Sequence, residues 1–250
     1  MRIVRFWYKN EINYGLLAGN QVEVVDGDIY GEYTVTNLKI ALTDVKLTAP
    51  CLPSKAVCIG LNYLDHAREM KDKLPANPLL FLKPSSAVIG DGDDIEYPSL
   101  SENLHYEGEL AVVIGKTARK VPLARALDYV WGYTCANDVT ARDLQHQDGQ
   151  WTRGKSFDTF MPIGPWLETE IDPGKLAIKS YLNGEIRQSS NTANLIFKVP
   201  ELISFITEVM TLYPGDVILT GTPAGVGPMQ IGDTITVEIE GIGTLTNKVV

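Results

Sequence analysis

The sequence predicts a β-rich α+β fold. Hydrophobic residues make up 44% and charged residues 21% of the 250 residues, a composition typical of a globular protein with a sizeable core. Most of the chain consists of short segments in which apolar and polar residues alternate, as in half-buried strands, and only two or three segments have helical periodicity. Many strands with few helices between them favour an α+β arrangement over a parallel α/β one.

The first 52 residues are predicted to form a small N-terminal β appendage. Strands are expected at Arg2–Tyr8, Asn13–Ala18 and Gln21–Val25, with the turn-type dipeptides Lys9-Asn10 and Gly19-Asn20 between them. Few groups suited to chemistry lie in this stretch. We therefore expect a second domain, residues 53–250, to carry the function.

The second domain begins with a buried strand at 56–60 and continues with a helix over 63–73, which Pro75 and Pro78 end. Two further helices are predicted after prolines: Leu123, Ala126, Leu127, Val130 and Trp131 share a helical face, and a second apolar face runs from Leu202 to Met210 behind Pro200. A long polar loop is expected through 91–94. The remaining predicted strands are Leu79–Leu82, Leu110–Ile114, Val217–Leu219, Thr234–Ile239 and Thr244–Val249.

Charge and cysteine content exclude some classes of function. Lys plus Arg number 22 against 31 Asp plus Glu, a net charge of −9, so neither nucleic acid nor an anionic membrane is an expected partner. An anionic small molecule stays open, because a few local cations suffice for one pocket. Cys51, Cys58 and Cys135 lie in apolar stretches and are predicted to be reduced and buried. Without an apolar run of about 18 residues or a signal sequence, a soluble cytoplasmic protein is expected.

A pair of carboxylates is the first candidate for chemistry. Glu107 and Glu109 are two apart in a predicted strand, so both side chains project from one face, on which Ala111 and Val113 continue as apolar residues. Asp138 follows another apolar strand, where it can complete a site. Three carboxylates without cysteine ligands favour a hard cation, Mg²⁺, Mn²⁺ or Ca²⁺ rather than Zn²⁺. A solvated strand face is the alternative for the glutamate pair.

His66 and Glu69 are the second candidate. On a helix they are neighbours three apart, so that the carboxylate can orient the imidazole and raise its basicity. Taken alone, the pair is better explained by an exposed helix in which Glu69 pairs with Arg68 or Lys73. His105 and His146 are assigned no role.

Two weaker signals complete the set. Lys155 follows Gly154, and from this pattern alone an exposed loop lysine is the better interpretation. The glycine-rich segment 219–227 follows a strand, and its amides are suited to cradle a carboxylate. Because this segment lacks the features of a P-loop or a dinucleotide fingerprint, nucleotide binding is not expected.

Together these segments resemble, in their order, the fumarylacetoacetate hydrolase family, over about residues 55–250. The matching stretches are Gly60-Leu61-Asn62-Tyr63 with Asp65-His66-Ala67 and Glu69, Phe81-Leu82-Lys83-Pro84, Tyr106-Glu107-Gly108-Glu109-Leu110-Ala111, Asn137-Asp138-Val139-Thr140-Ala141-Arg142-Asp143, Lys155-Ser156-Phe157-Asp158, and Thr220-Gly221-Thr222-Pro223 with Gly225-Val226. The short N-terminal region is similar to that of the compact, mostly bacterial branch. Leu61 stands where several relatives have arginine, which puts one substrate-carboxylate contact in doubt.

The resemblance implies a mixed β-sandwich roll, usually a homodimer, that holds Mg²⁺ or Mn²⁺, with Ca²⁺ as a substitute during crystallisation. It implies that Glu107, Glu109 and Asp138 bind the metal, that His66 and Glu69 form an acid/base dyad on a lid helix, and that Lys155 steadies the substrate's negative charge. The implied substrate-binding residues are Lys83, Arg142, Gln145 and Thr222.

The implied substrate is a 2-oxo acid, whose carboxylate and keto oxygens chelate the cation while an enolate forms. Hydrolysis of a C–C bond in an acylpyruvate is the favoured reaction. The second is tautomerisation or decarboxylation of the 2-hydroxyhepta-2,4-diene-1,7-dioate or oxaloacetate type, in aromatic catabolism. A non-catalytic metal- or ligand-binding module is the third, but such a module has no need of His66 and Glu69.

Overall fold

Strands dominate the computed structural model, which describes residues 1–70 and 73–250. Within these residues the helices are α1 (Leu64–Met70), α2 (Arg142–Asp148), α3 (Thr152–Lys155) and α4 (Val199–Val209). The strands are β1 (Arg2–Tyr8), β2 (Glu11–Ala18), β3 (Gln21–Gly27), β4 (Tyr33–Ala41), β5 (Lys46–Leu47), β6 (Lys55–Gly60), β7 (Leu79–Pro84), β8 (Val88–Ile89), β9 (Asp94–Ile95), β10 (Leu104–Tyr106), β11 (Gly108–Ile114), β12 (Val130–Asn137), β13 (Thr140–Ala141), β14 (Met161–Glu168), β15 (Ala177–Leu182), β16 (Glu185–Asn191), β17 (Val217–Leu219), β18 (Gly227–Met229), β19 (Thr234–Ile239) and β20 (Gly243–Val249). The predicted β-rich α+β class is confirmed.

The N-terminal strands form an antiparallel meander, β1 to β4, that joins the main sheet. The join is between β1 and β14, where Arg2 lies opposite Glu168. The three predicted N-terminal strands are present, and β4 is an additional one that the sequence did not indicate. The main sheet has the order β4-β3-β2-β1-β14-β12-β11-β17-β6-β7, with β5 and β8 attached beside β1 and β14.

Two smaller sheets complete the fold. One has the order β16-β15-β19-β20-β9 and the other β13-β10-β18. Most pairs are antiparallel, but β17 runs parallel to β6, so the carboxyl ends of these two strands meet at one edge of the main sheet. The first residue of β11, Gly108, lies opposite the last residue of β12, Asn137. The carboxyl ends of β6, β17 and β12 and the start of β11 therefore lie together at this edge of the sheet.

The core lies on both faces of β11, which explains its unbroken apolar run. Leu110, Val112 and Ile114 pack on one face with α4, whereas Ala111 and Val113 face a second cluster. Helix α4 begins with Pro200 in its first turn, as predicted, and buries one face that includes Leu202, Ile203 and Ile206. A strand buried on both faces fixes the carboxylates at its start in a rigid frame.

The predicted helix after Pro122 is wrong at its last two residues and in its type. Residues Leu123–Tyr129 form a 3-10 helix, and Val130 and Trp131 begin strand β12 instead. Within the 3-10 segment only Ala126 is buried, and Leu123 and Leu127 are 54% and 49% exposed, so the predicted apolar face is not buried as a whole, while β-branched and aromatic side chains favour the strand. The polar loop through 91–94 ends in a short strand, β9, paired with β20.

The helix predicted over 63–73 is observed as α1, which is shorter, and residues 71 and 72 of that prediction lie outside the described residues. Helices α2 and α3 were not predicted. The three cysteines are free and buried, as expected. Among the helices of the described chain, none has the length and apolar character needed to cross a bilayer.

Candidate active site

Three carboxylates meet where β11 begins and β12 ends. Oxygen atoms of Glu107, Glu109 and Asp138 lie within 4.8 Å of one another, and all three side chains are buried. Glu109 is in β11 and Asp138 directly follows β12, whereas Glu107 occupies a one-residue break between β10 and β11 rather than a continuous strand. Backbone contacts hold that break: the Glu107 amide donates to Asn137 Oδ1, and the Asp138 amide donates to the Glu107 carbonyl, both at 2.9 Å.

Three cationic side chains surround the carboxylates. Lys155 Nζ donates to Glu107 Oε2 at 2.9 Å and to Asp138 Oδ2 at 2.7 Å, while Arg142 bonds to Glu107 and Lys83 to Asp138. Lys155 is only 2% exposed and ends helix α3, so its interpretation as an exposed loop lysine is wrong. Lys83 lies in β7, Arg142 begins α2 and Lys155 ends α3, so contacts between elements far apart in the sequence bring these cations together, and local sequence patterns do not reveal such contacts.

The pKa values separate the carboxylates. Burial alone raises the pKa of Glu107, but the charges of Lys155 and Arg142 outweigh it and hold this pKa well below its ordinary value. Burial, together with the neighbouring Asp138 and Glu107, raises the pKa of Glu109 well above its ordinary value. These shifts favour the ionised form of Glu107 and the protonated form of Glu109 in the absence of a metal ion.

The two lysines also differ. Burial lowers the pKa of Lys83, and its contact with Asp138 only partly compensates. For Lys155 burial is likewise the largest effect, but Asp138 and Glu107 together outweigh it, so that the pKa of this lysine is raised. Lys155 thus stays charged beside the carboxylates.

The donor set fits a hard divalent cation. Glu109 Oε2 accepts a hydrogen bond from the Gly221 amide at 2.7 Å, and within the described residues this carboxylate has no hydrogen bond from a cationic side chain. Burial first, and then the nearby charges of Asp138 and Glu107, raise its pKa. Three converging carboxylate oxygens, with no sulfur ligand, match the preference of Mg²⁺ and Mn²⁺.

His66 and Glu69 lie together on α1. His66 Nδ1 donates to Glu69 Oε2 at 3.2 Å, and the same oxygen accepts the Gly225 amide at 3.3 Å. The imidazole is 14% exposed and the carboxylate 45% exposed. The contact between them, rather than pairing of Glu69 with Arg68 or Lys73, is thus the one that the structure shows. The dyad geometry leaves Nε2 of His66 as the nitrogen available to another group.

The glycine-rich segment behaves as an anion cradle for the protein's own carboxylates. The amide of Gly221 binds Glu109, and that of Gly225 binds Glu69. Both glycines have positive φ angles, 98° and 95°, which other residues rarely adopt. This one segment therefore contacts both the carboxylate cluster and the dyad.

A cavity of about 170 Å³ opens over the three carboxylates. His66 lines it directly, whereas Glu69, which contacts His66, and Lys83, which contacts Asp138, are outside the lining. Leu61 also lines it, with a positive φ of 48°. The residues around the cavity are Ile59, Gly60, Leu61, His66, Phe81, Glu107, Glu109, Asp138, Arg142, Gln145, His146, Trp151, Lys155 and Thr222.

Eight of the ten residues singled out from the sequence therefore border one cavity, and the other two touch residues that do. Arg142 and Gln145 lie on α2, where Arg142 Nη1 donates to Gln145 Oε1 at 2.6 Å. The Thr222 hydroxyl is already engaged, donating to the Gly108 carbonyl at 2.9 Å and accepting from Gln188 at 2.8 Å. Thr222 thus supports the wall through its hydroxyl.

Three contributors to the cavity were not predicted from the sequence. His146, which was assigned no role, and Trp151 both line the cavity, and Gln188 holds its wall from a distant strand. A tryptophan two residues after a glycine carries no distinctive signal, and a lone glutamine in a polar strand carries none either. His105 hydrogen-bonds to Asn103, and burial lowers its pKa to about 4, so it stays neutral.

Comparison with known proteins agrees with this geometry. The family model described as "Fumarylacetoacetate (FAA) hydrolase C-terminal" matches residues 55–250, and one described as "Rv2993c-like, N-terminal" matches residues 1–50. The mitochondrial oxaloacetate tautomerase Fahd2a of Rattus norvegicus is 45% identical over 223 residues, which cover 84% of this chain and 71% of the relative.

Two solved structures are similar over the whole chain. The 2-hydroxyhepta-2,4-diene-1,7-dioate isomerase of Mycobacterium marinum is 43% identical with a TM-score of 0.94, covering 100% of this chain and 98% of that one. The maleylpyruvate hydrolase of Sphingobium sp. SYK-6, in complex with manganese(II) and pyruvate, is 32% identical with a TM-score of 0.83, covering 100% and 99%. The chain belongs to the fumarylacetoacetate hydrolase family.

Proposed function

We propose that this member of the fumarylacetoacetate hydrolase family is a divalent-metal-dependent enzyme that acts on 2-oxo acids and interconverts their enol and keto forms. One observation carries the proposal. The imidazole of His66, held by a carboxylate on its other nitrogen, borders the same small cavity as three converging carboxylates. Enolisation next to a carbonyl needs an oriented acid/base group beside a bound metal ion, and the three carboxylates are suited to bind such an ion.

Glu107, Glu109 and Asp138 would hold the cation, Mg²⁺ or Mn²⁺. A divalent ion supplies Lewis-acid polarisation of the substrate's 2-oxo group. The relative from Sphingobium, which binds manganese and pyruvate, supports both the metal and the 2-oxo acid class. Buried carboxylates held by sheet backbone provide a preformed site, which lowers the cost of ordering the ligands.

His66 moves the proton. Because Glu69 accepts from Nδ1, the neutral imidazole presents Nε2 to the cavity as its basic nitrogen. In the enol-to-keto direction the 2-hydroxyl loses a proton and carbon 3 gains one, and no bond between heavy atoms breaks. Glu69 stabilises the imidazolium that forms when His66 carries the proton between these two positions.

The remaining polar residues bind and orient the substrate. The ammonium of Lys155 stays charged and steadies negative charge that develops on the 2-oxygen. Arg142 and Gln145 border the cavity together and suit the substrate's carboxylate. Lys83, behind Asp138, holds that carboxylate in place, and Thr222 fixes the wall through Gly108.

Hydrolysis of a C–C bond in acylpyruvates, the reaction favoured from the sequence, is the second candidate. It is supported by the similarity to a maleylpyruvate hydrolase at 32% identity. The tautomerase and the dienedioate isomerase, at 45% and 43% identity, support proton transfer, and a fumarylacetoacetate hydrolase from Exiguobacterium antarcticum, at 40% identity, supports hydrolysis. Hydrolysis requires in addition that the dyad activates a water molecule for attack on a second carbonyl.

Product analysis by NMR tests the proposal. Chelator-treated protein, with and without added Mg²⁺ or Mn²⁺, is given acetylpyruvate, fumarylpyruvate, oxaloacetate and a 2-hydroxy-dienoate in D₂O. Metal-dependent acceleration of enol–keto exchange, with deuterium incorporated at carbon 3, is the expected result. Metal-dependent release of pyruvate and a free acid would establish the hydrolase instead, loss of CO₂ from oxaloacetate a decarboxylase, and no metal-dependent turnover would leave a binding module.

A further inference from the structure

Strand β16 is an edge strand of the five-stranded sheet, and two of its side chains contact residues that hold the candidate active site in place. We infer that β16 aligns the carboxylate cluster with the helix that carries His66, and that Gln188 and Ser190 are the positioning residues through which it does so. The inference rests on the proposed function. It names residues that touch neither substrate nor metal and act through Gly108, Thr222 and Asp65.

Gln188 is completely buried, and its amide uses its full bonding capacity. The oxygen accepts from the Gly108 amide at 2.9 Å and from the Ser180 hydroxyl at 2.7 Å. The nitrogen donates to Thr222 Oγ1 and to the Pro223 carbonyl, both at 2.8 Å. One side chain thereby joins β11, β15 and the segment after β17.

The contact with Gly108 is the important one, because this residue lies between Glu107 and Glu109. Thr222 Oγ1 donates to the Gly108 carbonyl at 2.9 Å, so Gln188, Thr222 and Gly108 form a closed ring of hydrogen bonds. A Cβ at position 108 would lie 2.2 Å from Ser180 Oγ and 3.1 Å from Gln188 Oε1. The backbone between the two glutamates is thus pressed against β15 and β16, and Gln188 sets its position.

Ser190 lies two residues further along β16, on the same face as Gln188. Its hydroxyl donates to Asp65 Oδ2 at 2.5 Å, while Asp65 Oδ1 accepts the amide of His66 at 2.8 Å. Asp65 is in the first turn of α1, so this bond fixes the start of the helix. With seven residues, α1 is too short to be stable alone, and its position depends on such contacts.

The glycine-rich segment connects the other end of α1 to the same strand. A Cβ at Gly225 would lie 2.2 Å from the carbonyl oxygen of Arg187, so the segment passes directly over β16. The amide of Gly225 in turn bonds to Glu69. Contacts therefore connect β16 to the start of α1 and, through the glycine-rich segment, to Glu69. A further contact connects β16 to the backbone between Glu107 and Glu109.

Manganese binding tests the role of Gln188 without any need for turnover. In calorimetric titration of the chelator-treated full chain with Mn²⁺, Gln188→Met is expected to bind about 10- to 100-fold more weakly than the native protein, as for other residues that orient metal ligands. Thr222→Val, which breaks the same ring from its other side, is expected to weaken binding in the same direction. It keeps the test open if Gln188→Met does not fold.

Ser190→Ala tests the second role, and Ser189→Ala is its matched control, since Ser189 is the exposed neighbour on the opposite face of β16. Ser190→Ala is expected to speed hydrogen exchange of the α1 amides about tenfold and to lower kcat about tenfold, with KM and Mn²⁺ affinity within twofold of native. Ser189→Ala should match the native protein in all of these. In a Glu69→Gln background, Ser190→Ala should cost little further activity, because both act through the dyad.

The outcomes separate the inference from the proposed function. If the native protein binds no Mn²⁺, the proposed function is wrong. If the native protein binds Mn²⁺, and folded Gln188→Met or Thr222→Val binds it within twofold as well, Gln188 only satisfies buried polar groups and the inference is overturned. Unchanged α1 exchange in Ser190→Ala overturns the second half in the same way.

Discussion

The two sides of the cavity are built very differently. Glu107, Glu109 and Asp138 are at most 7% exposed and lie at the ends of core strands, and Glu107 and Asp138 are bonded to the buried Lys155. His66 and Glu69 lie on a seven-residue helix, and Glu69 is 45% exposed. The carboxylate side is part of the core of the protein, whereas the dyad side is attached to it by a few hydrogen bonds.

This difference implies that binding and proton transfer can be damaged separately. Changes on the carboxylate side should affect folding and metal affinity together, because the same contacts serve both. Changes on the dyad side should affect turnover alone, because few core contacts are lost.

Asp138→Asn should have the largest effect. It leaves Lys83 and Lys155 buried without their shared carboxylate, which should destabilise the fold by about 3–5 kcal/mol and abolish measurable Mn²⁺ binding. Denaturant unfolding and calorimetric titration measure the two effects. Asp26→Asn, at an exposed position of β3, is the control and should change neither. A native-like Mn²⁺ affinity in Asp138→Asn would show that the cation binds elsewhere.

Glu69→Gln should lower kcat by about 10²- to 10⁴-fold, the range for loss of general acid–base catalysis, while metal affinity stays nearly unchanged. The amide can still contact His66 but no longer stabilises the imidazolium. Steady-state rates and Mn²⁺ titration of the same preparation measure both quantities. Equal loss of metal binding in this variant would mean that Glu69 belongs to the carboxylate side.

Metal affinity should rise with pH. Burial and the neighbouring carboxylates raise the pKa of Glu109, so the metal-free protein holds a proton that the cation must displace. Below that pKa the affinity for Mn²⁺ should increase up to about tenfold per pH unit, and it should level off above it. Because the folded state binds this proton more tightly than the unfolded state does, the free energy of unfolding of the metal-free protein should fall as pH rises through the raised pKa.

Titrations between pH 5.5 and 8.5 in buffers of different ionisation enthalpy count the released protons directly. Glu109→Gln should bind Mn²⁺ more weakly and with a flatter dependence on pH. An affinity that does not change with pH in the native protein would contradict the assignment of a protonated Glu109.

Gln145→Ala should have the smallest effect, a rise in KM of about two- to tenfold with kcat little changed, which is the value of one neutral hydrogen bond to the substrate. Gln147→Ala is the matched control, because Gln147 is exposed on the same helix and does not border the cavity. If kcat fell instead with KM unchanged, Gln145 would belong to the proton-transfer side.

The same contrast explains what the sequence could predict. Strands β17 and β19 were predicted at their observed bounds because their pattern is local. Strand β4 was missed because its apolar residues Val35 and Leu38 are both 48% exposed, so that no buried alternation marks it. The helix expected at 123–131 was wrong at its last two residues because tertiary packing, not periodicity, decides the conformation of Val130 and Trp131.

At the site, the glutamate pair and Asp138 were identifiable from strand spacing and strand ends. The burial of Lys155 and the position of Gln188 were not, because they depend on contacts across 48 and 80 residues of sequence. The predicted division at residue 52 and the predicted homodimer stay predictions. They call for separate expression of residues 53–250 and for light scattering of the full chain.

The most direct test of the account is the position of the metal. Crystals of the full chain grown with Mn²⁺ and pyruvate should show an anomalous scattering peak within coordination distance of Glu107, Glu109 and Asp138, and pyruvate should lie between that peak and His66. A manganese peak elsewhere, or pyruvate bound out of reach of His66, would contradict the proposed centre.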